Sequence, residues 1–137
     1  MWWIYALLAA FFAALTAIFA KIGIKGVDTD LATAIRTVVI LILAWGIAFF
    51  RGGAATMHTL TKQNIIFLCL SGVATGLSWI FYFKALQLGR VSQVAPVDKM
   101  SVAFALILSF IFLGEPMNAK TIVGAILIIG GTIVLIF

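Results

Sequence analysis

An acid and a base lie next to each other inside a hydrophobic stretch long enough to cross a membrane. Asp98 and Lys99 follow Pro96 within residues 94–116, and the rest of this stretch is mostly apolar up to a Gly-Glu-Pro turn. Ionisable groups within a membrane are costly, so they usually pair with each other, face water or contact a ligand. These two residues are therefore the first candidates for a functional role.

Arg36 is a further ionisable residue in an apolar run, and it is the only charged residue in 31–50. Arg36 and Asp98 fall at similar depths in predicted helices that enter the membrane from the same side, which allows them to pair. In a structural interpretation, Arg36 neutralises Asp98 while Lys99 extends towards the membrane surface. In a functional interpretation, these charges form a gate or bind a carboxylate or phosphate group.

Polar side chains recur along one face of the third apolar run. Ser71, Thr75, Ser78 and Tyr82 follow the i, i+4, i+7, i+11 spacing of a helix face. This face either forms hydrogen bonds between helices or lines a polar cavity. The candidate substrate-binding or gating residues are Arg36, Ser71, Thr75, Ser78, Trp79, Tyr82, Lys84, Asp98, Lys99, Ser101 and Glu115.

Glu115 has two interpretations, because it lies between Gly114 and Pro116 at the end of its apolar run. A turn role fits those neighbours. A role in proton coupling, shared with Asp98, is the alternative. Lys84 ends the third run on the side where Arg36 and Asp98 lie, so positive charge gathers there.

The composition identifies the elements that must position these residues. Hydrophobic residues make up 65% of the 137 residues and charged residues 9%, which leaves too little polar surface for a water-soluble domain. We expect an all-α integral membrane protein and one domain over residues 1–137. The apolar runs predict five transmembrane helices at about 2–24, 31–50, 64–84, 94–113 and 121–137.

Several function classes are disfavoured. The net charge of +5 comes from single Lys and Arg residues in the connections, which is typical of membrane topology signals and not of nucleic-acid binding. His58 has no second His, Cys or carboxylate at ligand spacing, and no hydrolase or nucleotide-binding motif is present. We therefore expect no enzyme activity, no metal and no cofactor.

The connections carry a weak charge asymmetry. Lys21, Lys25, Lys84 and Arg90 belong to one side of the predicted membrane layout, and three cations belong to the other: Arg51, Lys62 and Lys120. Five spans place the two ends of the chain on opposite sides. The small difference permits insertion in both orientations.

Several short motifs together resemble a known family. They are YFKALQLG at 82–89, Val-Ala-Pro at 94–96, Leu-Gly-Glu-Pro at 113–116 and a Gly-rich last helix. In their order and spacing they are similar to the EamA domain of the drug/metabolite transporter superfamily, and the likeness covers essentially the whole chain. The adjacent Asp98 and Lys99 depart from the apolar or hydroxyl residues of longer relatives, so the substrates of those relatives are not carried over.

The resemblance implies a function and an assembly. Family members usually carry two such repeats, ten helices in inverted orientation around a substrate cavity, whereas this chain has one. The resemblance implies a protein of the plasma membrane, which in bacteria is the inner membrane. It also implies transport of a small metabolite by alternating access, carried out by an antiparallel homodimer of dual topology. A heterodimer with a related short protein, a flippase subunit for lipid-linked head groups and a non-transporting scaffold are the alternatives.

Overall fold

Five helical spans account for almost the whole chain in the computed structural model, which describes residues 1–137. The helices are α1 (Trp2–Gly23), α2 (Thr29–Phe50), α3 (Lys62–Leu88), α4 (Val91–Lys99), α5 (Ser101–Leu108) and α6 (Ala119–Ile136). A 3₁₀ segment, Gly53–Thr59, lies between α2 and α3, and a π-helical segment, Ser109–Leu113, follows α5. The fourth span, Val91–Leu113, consists of α4, α5 and the π-helical segment.

The predicted class, an all-α protein with five membrane spans, is confirmed. The helices α1 and α2 each have 22 residues, which gives a length of about 33 Å at 1.5 Å per residue. That length matches a hydrocarbon core of roughly 30 Å. The third helix, expected at 64–84, extends over 27 residues.

Polar residues in the connections fix where helices begin. The Asp28 carboxylate accepts hydrogen bonds from the backbone N–H groups of Asp30 and Leu31, both at 3.0 Å, and so caps α2. Asn118 caps α6 in the same way, since its side-chain oxygen accepts from the N–H of Thr121 at 2.9 Å. The chain leaves α2 through Gly52, whose φ of 75° favours glycine.

Contacts divide the chain into two compact units. The 20–87 unit comprises Ala20–Gln87, and the terminal unit comprises Met1–Phe19 together with Leu88–Phe137. That the whole chain forms a single domain stays a prediction.

In the 20–87 unit, the end of α3 is tied to the connection between α1 and α2. Gln87 Nε2 donates to the carbonyl oxygens of Val27 at 3.0 Å and Ile24 at 3.4 Å. Lys21 Nζ donates to the carbonyl oxygen of Leu86, one of the last-turn carbonyls that have no partner within the helix. Apolar packing adds to these bonds, because Ile24 and Leu86 are buried. The C-terminal end of α3 is thereby held in a fixed place.

In the terminal unit, α6 packs against α4 and α5. Ala103 of α5 and Thr132 of α6 are buried. Most large apolar side chains of this unit remain exposed, for example Phe112 at 80% and Val134 at 77%. Such a surface suits contact with lipid or with another membrane helix, not with water.

We expect Gln87→Leu to lower the stability of the folded chain. The substitution leaves two carbonyl groups without their donor; because Gln87 is exposed, we expect the loss of an ordinary hydrogen bond, about 0.5–1.5 kcal/mol. Thermal unfolding of the purified protein in detergent measures the effect. Gln63→Leu is the matched control, since Gln63 is exposed near the start of α3; equal losses in both variants would contradict the role of Gln87.

Candidate functional site

The fourth span is broken at Met100, close to the predicted acid and base. Residues 94–113 were expected to form one continuous helix, but α4 ends at Lys99, Met100 adopts a turn and α5 begins at Ser101. Pro96 lies inside α4; it has no N–H to donate, and its ring crowds the carbonyl of Ser92, four residues earlier, which weakens the helix before the break. At Met100 the distortion is a tightened turn, because its N–H bonds to Val97, three residues earlier, while its backbone keeps helical angles of φ −60° and ψ −20°.

The backbone groups at this break are satisfied from another helix. The N–H of Met100 donates to the carbonyl of Val97 at 3.0 Å and leaves the carbonyl of Pro96 outside the helical pattern. Thr132 Oγ1 of α6 lies 3.2 Å from that carbonyl and 2.8 Å from the carbonyl of Ile128 in its own helix, so its single hydroxyl hydrogen is shared between the two acceptors. Interrupted backbone at membrane depth is tolerated only where protein or water meets its polar groups, so Thr132 supports the break.

Asp98 and Lys99 pair with each other beside the break. Lys99 Nζ lies 3.2 Å from Asp98 Oδ2, and the two side chains are 59% and 34% exposed. The structural interpretation, in which Lys99 extends away and Asp98 pairs with Arg36, is therefore wrong about Lys99. Neighbouring residues form this pair with little loss of chain entropy, whereas an Arg36 pair requires two separate helices to meet.

Arg36 stacks on aromatic rings of α3. Its guanidinium carbon lies 4.2 Å from the centroid of the Trp79 ring and 4.9 Å from that of Phe83. Attraction between a cation and the ring face stabilises such an arrangement. Trp79 was a predicted site residue, but Phe83 was missed. The four-residue spacing of Trp79 and Phe83 on one helix face is the signal that could have identified it.

The other candidates of the 20–87 unit lie along α3. Ser71, Thr75 and Ser78 are exposed, and Thr75 Oγ1 donates to the carbonyl of Ser71 within the same helix at 2.8 Å. Tyr82 is half-buried and Lys84 is exposed. Because the chain does not cover this polar face, another molecule could complete a cavity there. That the face lines such a cavity stays a prediction.

The remaining candidates of the terminal unit flank the broken span. Ser101 is exposed at the first position of α5. Glu115 is exposed in the turn after the π-helical segment, where its N–H donates to the carbonyl of Ser109 at 3.3 Å. Gly114 has a φ of 66° in this turn. This geometry is that of a helix C-cap and supports the turn role; proton coupling through Glu115 stays a prediction.

The candidates thus form two clusters, one in each unit. The arginine cluster consists of Arg36, Trp79 and Phe83, and the break cluster consists of Pro96, Asp98, Lys99 and Thr132. An apolar groove of about 640 Å³ runs along α2 in the 20–87 unit and includes no residue of the arginine cluster: its lining residues are Ile42, Leu43, Gly46, Ile47, Phe50 and Arg51.

Comparison with known proteins gives two matches over nearly the full length. The model of a family described as "EamA-like transporter family" matches residues 1–137. A Sinorhizobium protein described as "Uncharacterized transporter in cobO 3'region" is 44% identical over 134 residues, which cover 98% of this chain and 95% of that protein. No solved structure matches the chain.

We expect Thr132→Val to destabilise the terminal unit, because the carbonyl of Pro96 loses its donor in an apolar environment. The expected loss in the free energy of unfolding is about 1–3 kcal/mol, measured by chemical or thermal unfolding in detergent. Thr16→Val is the matched control, since the Thr16 hydroxyl donates only to the carbonyl of Phe12 within α1. A loss no larger than that of the control would show that the bond to Pro96 is dispensable.

Proposed function

Because the chain belongs to the EamA-like transporter family, we propose that it is a secondary carrier which moves a small metabolite by alternating access. The family and the Sinorhizobium relative identify a multi-pass membrane transporter and not an enzyme. The carrier mechanism, the nature of the solute and the pairing of two copies belong to the proposal.

The observation that carries this proposal is the break of the fourth span at Met100, with Asp98 and Lys99 immediately before it. Transport proteins commonly place substrate and ion sites where a membrane helix is interrupted, because free backbone groups and helix ends become available there. A broken helix can also change the angle between its two halves, which a continuous helix resists. The break therefore offers both a binding position and a moving part.

Asp98 is the titratable group best placed to act at this break. Its carboxylate is paired with Lys99 but remains about one-third exposed. This exposure leaves the carboxylate within reach of a solute that approaches the break. In our proposal Asp98 opens and closes a gate by changing partner.

Assembly of two inverted copies follows from the single five-helix repeat. The family resemblance implies two repeats per carrier, and the loop charges differ by one between the two sides. Inverted repeats place their shared site near the middle of the bilayer. The exposed hydroxyl groups of Ser71, Thr75 and Ser78 supply a polar face for such a cavity. A heterodimer with a related short protein has the same geometry.

We expect Asp98→Asn to abolish transport without preventing folding. A thermal-stabilisation screen over amino acids, organic anions, amines and nucleosides first identifies a solute, and uptake of that solute into proteoliposomes is then measured. The carbonyl and amide of Asn keep the size of Asp98 but cannot form the ion pair with Lys99. Unchanged uptake by Asp98→Asn would remove Asp98 from the mechanism.

Asp30→Asn is the matched control for this experiment, because Asp30 is an exposed acid in the first turn of α2 and lies outside both clusters. We expect its uptake to equal that of the original protein. If Asp98→Asn instead loses the folded oligomer, seen by size-exclusion chromatography in detergent, the ion pair is structural and the gating role is contradicted.

We expect both membrane orientations to be present. Cys69 is a free, exposed thiol, so it is first replaced by Ser. Single cysteines are then introduced on opposite sides of the membrane, as Asp30→Cys at the start of α2 and as His58→Cys in the connection that follows α2. In cells, a membrane-impermeant maleimide should label a fraction of each variant, and permeabilisation should label the remainder. Labelling of one variant only, from outside, would establish a fixed orientation and contradict the inverted homodimer.

A further inference from the structure

We propose that Arg36 binds a carboxylate group of the transported molecule, with the guanidinium held in place by the rings of Trp79 and Phe83. The inference rests on the proposed carrier function and names the class of solute. It depends on the geometry of the arginine cluster, which lies entirely within the 20–87 unit.

The aromatic contacts leave the donors of Arg36 without acceptors. The guanidinium is planar, and its five N–H groups lie within that plane. Its carbon lies 4.2 Å from the ring centroid of Trp79 and 4.9 Å from that of Phe83, and neither side chain offers a hydrogen-bond acceptor. Within the 20–87 unit, neither Asp28 nor Asp30 forms an ion pair with Arg36.

Arg36 and its aromatic contact lie well inside their helices. The Arg36 backbone lies about 10 Å from the start of α2 at Thr29, at 1.5 Å per residue. Trp79, whose ring centroid is 4.2 Å from the guanidinium carbon, lies roughly 13 Å before the end of α3 at Leu88. Both helices are long and apolar enough to span a membrane, so the group is placed away from the ends of both spans.

The free N–H groups are accessible. Arg36 is half-buried, and every fully buried side-chain polar atom of the chain has a hydrogen-bond partner. The unpaired donors of Arg36 are therefore atoms that another molecule can reach. An unpaired cation at membrane depth is expensive, which favours a site that faces a water-filled cavity or a ligand.

A carboxylate is the ligand chemistry that suits these donors. Two parallel N–H groups of a guanidinium match the two oxygens of a carboxylate and form a bidentate pair. One positive charge neutralises one carboxylate, whereas a phosphate monoester carries about −1.5 to −2 charges at pH 7 and would remain partly uncompensated. The rings also restrict the motion of the side chain, so less entropy is lost when an anion binds.

The support behind the cluster is rigid. Phe83 is 1% exposed, and Gln87, one turn further along α3, is bonded to the connection between α1 and α2. The position of the rings, and with them of Arg36, is thus fixed before any ligand arrives. Such preorganisation is a requirement for selective binding.

The test uses the full-length protein in nanodiscs of phosphatidylcholine. Thermal stabilisation is measured with acetate and benzoate, and with their uncharged counterparts acetamide and benzamide. We expect at least one carboxylate to stabilise the protein in a saturable manner and its amide to have no effect. Each acid and its amide have similar shapes, so the comparison isolates the carboxylate and needs no variant.

Arg36→Lys then tests the residue. Lys keeps the positive charge but lacks the planar pair of donors, so we expect about tenfold weaker binding of the carboxylate, which corresponds to about 1.4 kcal/mol. Arg51→Lys is the matched control, because Arg51 is an exposed arginine at the opposite end of α2. We expect its affinity to be unchanged.

Two results would overturn the inference: no carboxylate that stabilises the protein more than its amide, or equal affinity in Arg36→Lys and the original protein. Nanodiscs that contain phosphatidylserine distinguish the source of the carboxylate. Stabilisation by this lipid that disappears in Arg36→Lys would support the site and assign the carboxylate to a lipid head group.

Failure of this inference differs from failure of the carrier proposal. A carrier of amines or uncharged solutes would fail the carboxylate test but would still show uptake that depends on Asp98 and labelling in both orientations. A protein that binds carboxylates without transporting them would pass the carboxylate test but would show neither uptake that depends on Asp98 nor labelling in both orientations.

Discussion

The hydrogen bond from Thr132 to the carbonyl of Pro96 is the interaction on which the architecture of the terminal unit depends. The carbonyl of Pro96 lies outside the helical hydrogen-bond pattern because the N–H of Met100 bonds to Val97, and hydrocarbon offers no water to replace the missing donor. The hydroxyl of α6 meets that requirement at 3.2 Å. It thereby allows the fourth span to break beside Asp98 and Lys99 without exposing an unpaired carbonyl to lipid.

The lack of water in hydrocarbon constrains charged side chains as well. The membrane spans contain an acid and a cation whose charges are stabilised in different ways. Asp98 is neutralised by its neighbour Lys99, while Arg36 is stabilised by the faces of Trp79 and Phe83 and keeps its donors accessible. A neutral pair at a break suits a gate that changes partner, and a stacked cation without an acid suits an anion site. In the proposed carrier, the two clusters have different tasks, a gate and an anion site.

Much of the fold could be predicted, because a membrane imposes strong rules on a sequence. Apolar runs of about 20 residues can only be helices in hydrocarbon, so the five spans followed from composition. Cap residues such as Asp28 and Asn118 have local effects that sequence reveals. Within the candidate site, Arg36, Trp79 and Asp98 were predicted as residues, but their partners were not. Phe83 was missed, and a pair between Asp98 and Arg36 was one of the two interpretations left open.

The sequence by itself determined the class, the number of spans, the family resemblance and the presence of charge within the membrane, because all of these depend on residue type and on spacing along one helix. The tertiary structure decided where the fourth span breaks and which groups meet. Partner choice depends on distances between helices: Thr132 is far from Pro96 in sequence, and Arg36 is far from Trp79. The spacing of residues along one helix does not specify such contacts. They depend on the contact of Arg36 in α2 with α3, and on the packing of α4 against α6.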